Sequence, residues 1–316
     1  MTNPAAAKKP KLFAVILHFG SLKNTAKAQQ ALTACDAQDW DLTIVLVDNS
    51  GCEEVTPEFA KESAKIIHSG KNLGYAGGMN LGIQYALKHG ADYLLLLNND
   101  LFLAQNALKH FATGIRRRPE SGLWGGAIFY ADDPERIWFG GGRVHKWLGR
   151  TMHVGYKKRR NSPTRLAEGG IDYITGAMML IDRKVFEKCG LFDMSLFLYF
   201  EDADFCLRAQ ETGFTPTFCP AVEALHQVGA SDGSGGPTAA YLYFQTRNRY
   251  YVLQQCGGRF YKLWLTCLHI LIYTVLRIVV VFLSAPKNAL PKIKALWRGC
   301  ADSLKNVRGP YLPQSK

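Results

Sequence analysis

The sequence predicts an α/β fold built on a mostly parallel sheet with flanking helices. Short apolar runs of three to six residues recur early in the chain, helical stretches separate them, and a polar residue follows each run. Strands without polar alternation are buried on both faces, as in a parallel sheet covered by crossover helices. The four runs are Leu12 to Leu17, Thr43 to Val47, Lys65 to Ile67 and Tyr93 to Leu97.

The residues that end these runs are His18, Asp48, His68 and Asn98. In an open parallel sheet, ligands bind beyond the carboxyl ends of the strands. We therefore expect these four side chains to meet at one crevice.

The second half of the chain has a different pattern. Gly122 to Gly170 contains glycine pairs and three tryptophans, which favours irregular strands and loops facing a substrate. Ala177 to Ile181 predicts a strand, and Glu201 to Thr212 predicts a helix that ends at Gly213. The glycine-rich stretch Gly229 to Pro237 is a candidate mobile lid.

Composition limits the protein class and the compartment. The chain has 316 residues, of which 47% are hydrophobic and 20% charged, so a disordered or collagen-like protein is excluded. The net charge is +12, and residues 287–316 supply +6 of it, with seven basic residues and one acidic residue. The eight cysteines include no C-x-x-C pair, so neither a zinc site nor a disulfide framework is indicated and a reducing cytosol is expected.

Near the C-terminus, Leu263 to Leu283 is apolar over 21 residues. Polar residues interrupt it at spacings of three and four and form one narrow stripe, so a helix lying in a membrane interface is favoured over a crossing one. The stripe consists of Lys262, Thr266, His269, Tyr273 and Arg277. The alternative is a buried helix with a solvated basic tail.

After Pro286 a second amphipathic pattern alternates with lysines, which suits an anionic leaflet. Its apolar positions are Leu290, Ile293, Trp297, Cys300 and Leu304.

Two motifs could bind parts of a nucleotide. Asp48-Asn49-Ser50-Gly51 places an acid where it could accept hydrogen bonds from a nucleobase or ribose, although it also fits an ordinary turn. Asn72 to Asn80 places Gly74, Gly77 and Gly78 before a helix, where backbone N–H groups can approach a phosphate. The phosphate-loop lysine is absent, and helix packing is the alternative role of these glycines.

Two further motifs carry acids. Asn98-Asn99-Asp100 follows a strand, and its carboxylate could hold Mg²⁺ or Mn²⁺ against a diphosphate. His226 is a candidate second ligand, although a lone histidine is more often a surface or core residue. Glu201, Asp202 and Asp204 crowd the start of a helix, where Asp204 pairs with Arg208 at i+4 and Glu201 and Asp202 can face a substrate.

Taken as an ordered set, these residues resemble family 2 glycosyltransferases of the GT-A fold, particularly the bacterial rhamnosyltransferase-like branch. The resemblance covers about Leu12 to Tyr251. It is carried by Val-Asp-Asn-Ser, Asn-x-Gly-Tyr-Ala-Gly-Gly-x-Asn, Leu-Leu-Asn-Asn-Asp, Thr-Gly-Ala, Phe-x-Tyr-x-Glu-Asp-x-Asp, His226 and Arg247-Asn248.

The resemblance implies inverting transfer of a sugar from a nucleotide diphosphate to an acceptor hydroxyl. Asp48 would bind the nucleoside, Asp100 and His226 the metal, and Asp202 would act as the base with Glu201 beside it. Arg247 and Asn248 would contact the donor phosphate or the acceptor. The other implied donor contacts are Asn49, Asn72, Gly74, Gly77, Gly78, Asn80, Asn98, Asn99 and Gly176.

By the same resemblance the donor is dTDP-L-rhamnose, with a UDP-sugar as the alternative, and the acceptor is a lipid-linked or cell-surface glycan. Two positions depart from the family pattern. His18-Phe19-Gly20 stands where relatives often have Asn-Tyr-Asn, and Asn-Asn-Asp stands in place of Asp-x-Asp, so a single carboxylate must serve the metal.

The resulting organisation is a GT-A catalytic domain over residues 1–255 and a helical membrane-association region over residues 256–316. We expect a cytoplasmic protein, peripheral on the inner face of the plasma membrane and attached to its anionic surface. No stacking platform interleaved with basic residues is present, so nucleic acid is not an expected partner. Homodimerisation, a sugar nucleotidyltransferase and a non-catalytic adaptor remain open alternatives.

Overall fold

The first half of the chain folds as alternating strands and helices. The computed structural model describes residues 8–60, 64–162, 169–228, 237–284 and 289–311. The elements up to residue 130 are β1 (Lys11–His18), α1 (Leu22–Thr33), β2 (Asp41–Asp48), α2 (Pro57–Ala60), β3 (Ala64–His68), α3 (Gly74–Lys88), β4 (Tyr93–Asn98), β5 (Leu101–Leu103), α4 (Ala107–Arg117) and β6 (Leu123–Tyr130).

The second half completes the sheet and adds a layer of helices. Its elements are β7 (Ile137–Phe139), β8 (Gly142–His145), β9 (Arg150–His153), β10 (Gly169–Gly170), β11 (Met178–Asp182), α5 (Arg183–Cys189), α6 (Glu201–Glu211), β12 (Thr217–His226), α7 (Ala239–Leu253), α8 (Arg259–Ile270), a π-helical segment (Leu271–Leu276), α9 (Arg277–Ser284) and α10 (Ala289–Leu304).

One ten-stranded sheet organises the protein, with the order β10-β12-β6-β11-β4-β1-β2-β3 and with β5 and β7 paired to β12 and β6. The four predicted strands β1 to β4 are present and mutually parallel. Beyond β4 the sheet becomes mixed, because β11 is antiparallel to both β4 and β6, whereas β12 is parallel to β6. The predicted, mostly parallel sheet is therefore wholly parallel through β1 to β4 and mixed beyond them.

The irregular region expected from Gly122 contains a central strand instead. β6 lies between β11 and β12 and is buried along almost its whole length. Its glycine pair, which indicated a loop, is required by close packing. A Cβ at Gly126 would lie 2.4 Å from the carbonyl oxygen of Val222. The predicted lid at 229–237 lies outside the described residues except for Pro237.

Helices α7 to α10 form a layer in which α8, the π-helical segment and α9 run on from one another. Leu265 in α8 packs with Tyr250 and Leu253 at the end of α7, and Val281 in α9 packs with Leu242 near its start. The long helix therefore runs antiparallel to α7, with α8 packed on α7 and α9 packed on α10. The predicted domain boundary at residue 255 stays a prediction, and α7, which precedes it, packs against α8 and α10.

Thr266 and His269, in the middle of the polar stripe, face the protein, while Lys262 at its start is exposed. Thr266 bonds the Tyr250 hydroxyl at 2.8 Å, and His269 bonds both Arg249 at 3.2 Å and Ser303 at 2.8 Å. Because these polar groups pair inside the helical layer, the remaining sides of the helix are apolar and exposed. Only 22% of its most apolar window is buried, and within the described ranges it is the one helix long and apolar enough to cross a membrane.

The predicted apolar face of α10 is partly buried against the helical layer and partly exposed. Cys300 is buried and Ile293 packs against the small core of the helical layer. Leu290, Trp297 and Leu304 are exposed, and their spacing of seven places them along one side of the helix.

Replacing Gly82 by alanine tests how closely α3 packs on the sheet. A Cβ there would lie 2.3 Å from Val15 Cγ1, so we expect G82A to lower the free energy of unfolding by about 2 kcal/mol despite the better helix propensity of alanine. Urea unfolding measures the change.

The matched control is the V15A/G82A pair. Removal of Val15 Cγ1 should make the double variant more stable than the sum of the two single losses predicts. Additive losses, or a G82A variant as stable as the parent, would contradict the close approach.

Candidate functional site

The carboxyl ends of β1, β2, β3 and β4 lie side by side, as the sequence predicts. His18 pairs in register with Asp48, and Asp48 with His68. Leu17, one residue before His18, pairs with Asn98. The four strand-end residues therefore meet at one edge of the sheet, where His68 Nδ1 lies 3.4 Å from Asp48 Oδ2.

Asp48 is buried at this edge and accepts hydrogen bonds from the turn that follows it. Its Oδ1 accepts from the Ser50 hydroxyl at 2.6 Å and the Ser50 N–H at 3.0 Å, and its Oδ2 accepts from Val55 N–H at 2.9 Å. Burial alone would raise the pKa of Asp48, but these hydrogen bonds hold it below its usual value. Asp48 is therefore an ionised, oriented carboxylate, and its contact with a nucleoside stays a prediction.

Asn49 and Asn72 shape the loop before α3. Asn49 Oδ1 accepts from Leu73 N–H at 2.9 Å, and its amide donates to the Gly74 carbonyl at 3.1 Å and to Asn72 Oδ1 at 3.3 Å. Asn72 Oδ1 also accepts from Gly74 N–H at 2.8 Å. The two side chains therefore hold the glycine loop in position, whatever further contact they make with a donor.

The residues of this glycine motif pack closely against their surroundings. Gly74 has a φ of +72°, and a Cβ there would lie 2.2 Å from the Phe197 carbonyl oxygen. A Cβ on Gly78 would lie 2.5 Å from Leu17, and one on Gly77 would lie 2.8 Å from Leu73. Asn80, buried in α3, bonds both the N–H and the carbonyl of Phe192. These contacts agree with the packing alternative, and the phosphate contacts stay predictions.

Asp100 and His226, 126 residues apart, are in direct contact. Antiparallel pairing of β5 with β12 places His226 opposite Leu101, and His226 Nε2 lies 3.0 Å from Asp100 Oδ1. Asn99, just before Asp100, donates to the Phe19 carbonyl and the Thr25 hydroxyl, while Asn98 is half-buried at the end of β4.

The geometry of Asp100 and His226 fits a divalent cation. Two neighbouring ligands of an octahedral ion with bonds of about 2.1 Å lie about 3.0 Å apart, which matches the observed separation. His226 is nearly buried, with its ring 4.4 Å from that of Trp138. Over the described ranges no group of three or more His, Cys, Asp or Glu could hold a metal, so an ion here would need oxygen ligands from a diphosphate and water.

Asp202 lies at the same edge of the sheet as Asp100. Its Oδ2 accepts from the Gly176 N–H at 3.0 Å, and the next residue, Ala177, accepts from Asn98 N–H at 3.1 Å. Two bonds across adjacent strand ends therefore link Asp202 to the segment that carries Asp100. Burial raises the pKa of Asp202, although the N–H groups of Gly176 and Ala203 act in the opposite direction.

Gly176 is the common contact of two site residues. It donates to Asp202, and its carbonyl accepts from the Tyr75 hydroxyl at 2.5 Å. A side chain here would collide with Tyr75, since a Cβ would lie 2.7 Å from that hydroxyl. The sequence indicates Gly176 only through the Thr-Gly-Ala motif, and Tyr75 stands in the glycine motif, where the sequence assigns it no role.

Glu201 is buried behind Asp202. Its Oε2 has no hydrogen-bond partner among the residues that the structure describes. Burial, with the neighbouring Asp202 carboxylate, raises the pKa of Glu201 well above its usual value. The third acid, Asp204, pairs with Arg208 at 2.8 Å, which confirms the structural role predicted for that pair.

The loop before α6 has an unusual backbone. Phe197, Tyr199 and Phe200 all have positive φ angles between 65° and 71°, a conformation that aromatic residues rarely adopt. Nothing in the apolar sequence of this segment indicates it. Its backbone is held from α7, because Asn248 donates to the carbonyls of Leu196, Leu198 and Tyr199.

Arg247 is buried beside Asn248 and also donates hydrogen bonds to backbone carbonyl groups. Its guanidinium donates to the carbonyls of Ser195, Leu196 and Gly309. Arg247 and Asn248 thus hold the segment that leads to Glu201 and Asp202, and their predicted contact with donor phosphate or acceptor stays a prediction.

Comparison with known proteins identifies the family. Residues 24–190, slightly more than half of the chain, match the profile of glycosyl transferase family 2. A low-salt glycan biosynthesis hexosyltransferase, Agl10, from Haloferax volcanii is 27% identical over 65% of this chain and 65% of its own length. The match thus spans just under two thirds of that relative.

Two relatives come from Mycobacterium tuberculosis. An N-acetylglucosaminyl-diphospho-decaprenol L-rhamnosyltransferase is 24% identical over 62% of this chain and 70% of its own. The galactofuranosyltransferase GlfT1 is 29% identical over 78% of this chain and 84% of its own.

Two solved structures are similar in fold. GalNAc-T7 with UDP, GalNAc and Mn²⁺ has a TM-score of 0.57 at 17% identity, over 84% of this chain and 55% of that one. The mannosyltransferase PcManGT from Pyrobaculum calidifontis, in complex with GDP-Man and Mn²⁺, has a TM-score of 0.54 at 10% identity, over 95% of this chain and 88% of that one. The predicted GT-A fold is confirmed.

Replacing Glu201 by glutamine tests whether this buried acid takes up a proton on folding. Its folded pKa is raised, so its contribution to stability is complete below the unfolded value of about 4.3 and is lost as pH rises toward the folded pKa. Glutamine does not titrate. The Tm of E201Q relative to the parent should therefore increase between about pH 4 and about pH 8.

The control is E211Q, which changes an exposed glutamate at the end of α6 and should not show a comparable change of relative Tm with pH. A Tm difference for E201Q that does not change with pH would contradict the assignment.

Proposed function

The chain belongs to glycosyl transferase family 2, and from that premise we propose that it transfers L-rhamnose from dTDP-L-rhamnose to a hydroxyl of a lipid-linked glycan. The observation that supports the proposal is the pair of hydrogen bonds that links Asp202, through Gly176 and Ala177, to Asn98, two residues before Asp100, which contacts His226. The L-rhamnosyltransferase among the relatives supports the choice of sugar. The galactofuranosyltransferase relative supports the second candidate, a UDP-sugar donor.

Asp202 is proposed as the general base. Its raised pKa makes it a stronger base than an ordinary aspartate, and the Gly176 N–H orients one of its oxygens. Burial raises the pKa of Asp202, and burial with the Asp202 carboxylate raises the pKa of Glu201 well above its usual value, so Asp202 is the acid of this pair that ionises more readily. The acceptor hydroxyl would give its proton to Asp202 as its oxygen attacks the anomeric carbon.

The attacking oxygen and the departing diphosphate would lie on opposite faces of the sugar, so a single displacement inverts the anomeric centre. Carboxylates in a cleft that excludes water would stabilise the oxocarbenium-like charge on the ring. Asp100 and His226 would hold Mg²⁺ or Mn²⁺, which when bound would offset the negative charge on the diphosphate.

We also propose that the protein lies on the cytoplasmic face of the inner membrane without crossing it. Helix α8 packs on α7 and its His269 bonds the buried Arg249, so a membrane-crossing helix would draw α7 with its buried Arg247 and Arg249 into hydrocarbon. Its exposed apolar sides can instead lie in the plane of the interface. The basic residues of α10 and the following segment would favour an anionic leaflet.

A panel of sugar nucleotides with Mn²⁺ tests the reaction. We expect slow hydrolysis of dTDP-L-rhamnose to exceed that of UDP-galactofuranose and UDP-hexoses, and D202N to lower transfer to an acceptor by at least about 10²-fold while donor binding persists. Chromatography of the released nucleotide measures turnover.

The control D41N replaces an exposed aspartate at the opposite end of β2 and should match the parent. Preference for UDP-galactofuranose would overturn the choice of donor alone. Near-parent turnover by D202N would overturn the base, and no hydrolysis of any donor would overturn the activity.

Alanine at Asp100 tests the metal site. D100A should weaken Mn²⁺-dependent donor binding by at least about tenfold, because one of the two protein ligands is lost. Calorimetry with and without Mn²⁺ measures the change.

H226A should weaken binding similarly, and the double variant should lose less than the sum, since both residues serve one ion. H89A, on the exposed end of α3, is the control for histidine removal. Metal-independent donor binding in the parent, or full Mn²⁺ dependence in D100A, would contradict the site.

A further inference from the structure

A two-stranded hairpin of β8 and β9 stands apart from the main sheet and presents apolar side chains at its tip. The hairpin tip consists of Lys146, Trp147, Leu148 and Gly149. Trp147 is 74% exposed and Leu148 is 50% exposed. Large apolar side chains at a loop tip lose contact with water only when another surface covers them.

The hairpin tip is fastened to the long helix by its backbone. Trp264 Nε1 donates to the Trp147 carbonyl at 3.0 Å, Tyr261 donates to the Lys146 carbonyl at 3.2 Å, and Tyr273 donates to the Leu148 carbonyl. These three hydrogen bonds restrict rotation of the tip backbone relative to α8, so the side chains of Trp147 and Leu148 remain directed toward solvent.

The same bonds place the hairpin tip beside the exposed apolar side of α8. Trp264 itself is 48% exposed, and its neighbours Phe260 and Leu263 are 89% and 65% exposed. Two segments distant in sequence therefore build one continuous apolar surface, which neither would form alone.

The two segments that form this surface carry no acidic residue of their own. Residues 142–153 and 256–284 contain no aspartate or glutamate. Their exposed cations are Arg143, Lys146, Arg150, Arg259 and Lys262, while Asp172 accepts from the Val144 N–H at the hairpin. Exposed apolar side chains with cations and tryptophan in the same segments match the interface of an anionic bilayer.

We propose that the hairpin tip enters an anionic lipid bilayer together with α8, as a second point of membrane contact. Trp147 and Leu148 insert at the boundary of headgroups and acyl chains, and the flanking cations contact lipid phosphates. Two contact points fix the rotation of the protein about its long helix, which a single amphipathic helix leaves free.

The end of the hairpin opposite its tip lies close to the candidate metal site. The His153 ring, at the end of β9, lies 5.0 Å from the Trp138 ring, which lies 4.4 Å from His226. The four-residue strand β8 spans about 13 Å. The length of the hairpin therefore determines the distance between the candidate site and the lipid headgroups. This consequence rests on the proposed function, because it brings a lipid-linked acceptor within reach of Asp202.

Flotation with phosphatidylcholine vesicles, with and without phosphatidylglycerol, tests the membrane contact. The full-length W147S/L148S variant should bind anionic vesicles at least about tenfold more weakly than the parent, since two apolar side chains no longer insert. W147F/L148M keeps the apolar character and should bind within about threefold of the parent.

A second readout locates Trp147 itself. Brominated lipids should quench less of the tryptophan fluorescence in W147F than in the parent, although W147F still binds. Donor hydrolysis in solution should be unchanged in all variants, which separates this proposal from the catalytic one.

Parent-like vesicle binding by W147S/L148S, or unchanged quenching in W147F, would overturn the proposal. So would a dimer in the parent that W147S/L148S converts to a monomer without loss of vesicle binding, because the surface would then be covered by a second copy.

Discussion

The hydrogen bond from Asn98 N–H to the Ala177 carbonyl joins the two halves of the sheet, and the site depends on it. On one side lie the parallel strands that end in Asp48 and lead to Asp100. On the other side lies the antiparallel strand β11, preceded by Gly176, which binds Asp202. A sheet parallel throughout would continue β4 into another crossover unit and would not bring the start of β11 to this edge. The change of strand direction therefore places Gly176, and with it Asp202, beside the ends of the parallel strands.

The helical layer contributes to the site through backbone contacts. Arg247 and Asn248 donate hydrogen bonds to backbone carbonyl groups between Ser195 and Tyr199. This segment and the residue after it contain three aromatic residues with positive φ, which are Phe197, Tyr199 and Phe200. A left-handed aromatic residue is unfavourable unless its surroundings fix it. The same α7 helix also packs on α8 and α10. The segment that leads to Asp202 and the proposed membrane surface therefore both contact α7.

The sequence was informative where one physical rule acted alone. Buried parallel strands require unbroken apolar runs, so β1, β2 and β4 and their polar ends were predictable. Gly126 contributed to the expectation of irregular structure, although it lies in a strand. The close approach of Val222, which requires glycine at this position, cannot be predicted from the sequence. The polar stripe containing His269 was identified correctly, but only the fold shows that Arg249 and Ser303 are its partners. The sequence places Trp147 only within a region expected to be irregular, and its exposure is evident only in the fold.

The register between β5 and β12 has a consequence for folding. Side chains alternate across a strand, so a slip of one residue would turn His226 to the opposite face of the sheet, away from Asp100. These two residues meet only after strands more than a hundred positions apart have paired correctly. At the proposed metal site, cation affinity would therefore report completed folding, because a divalent ion would bind correctly registered chains more tightly than misaligned ones.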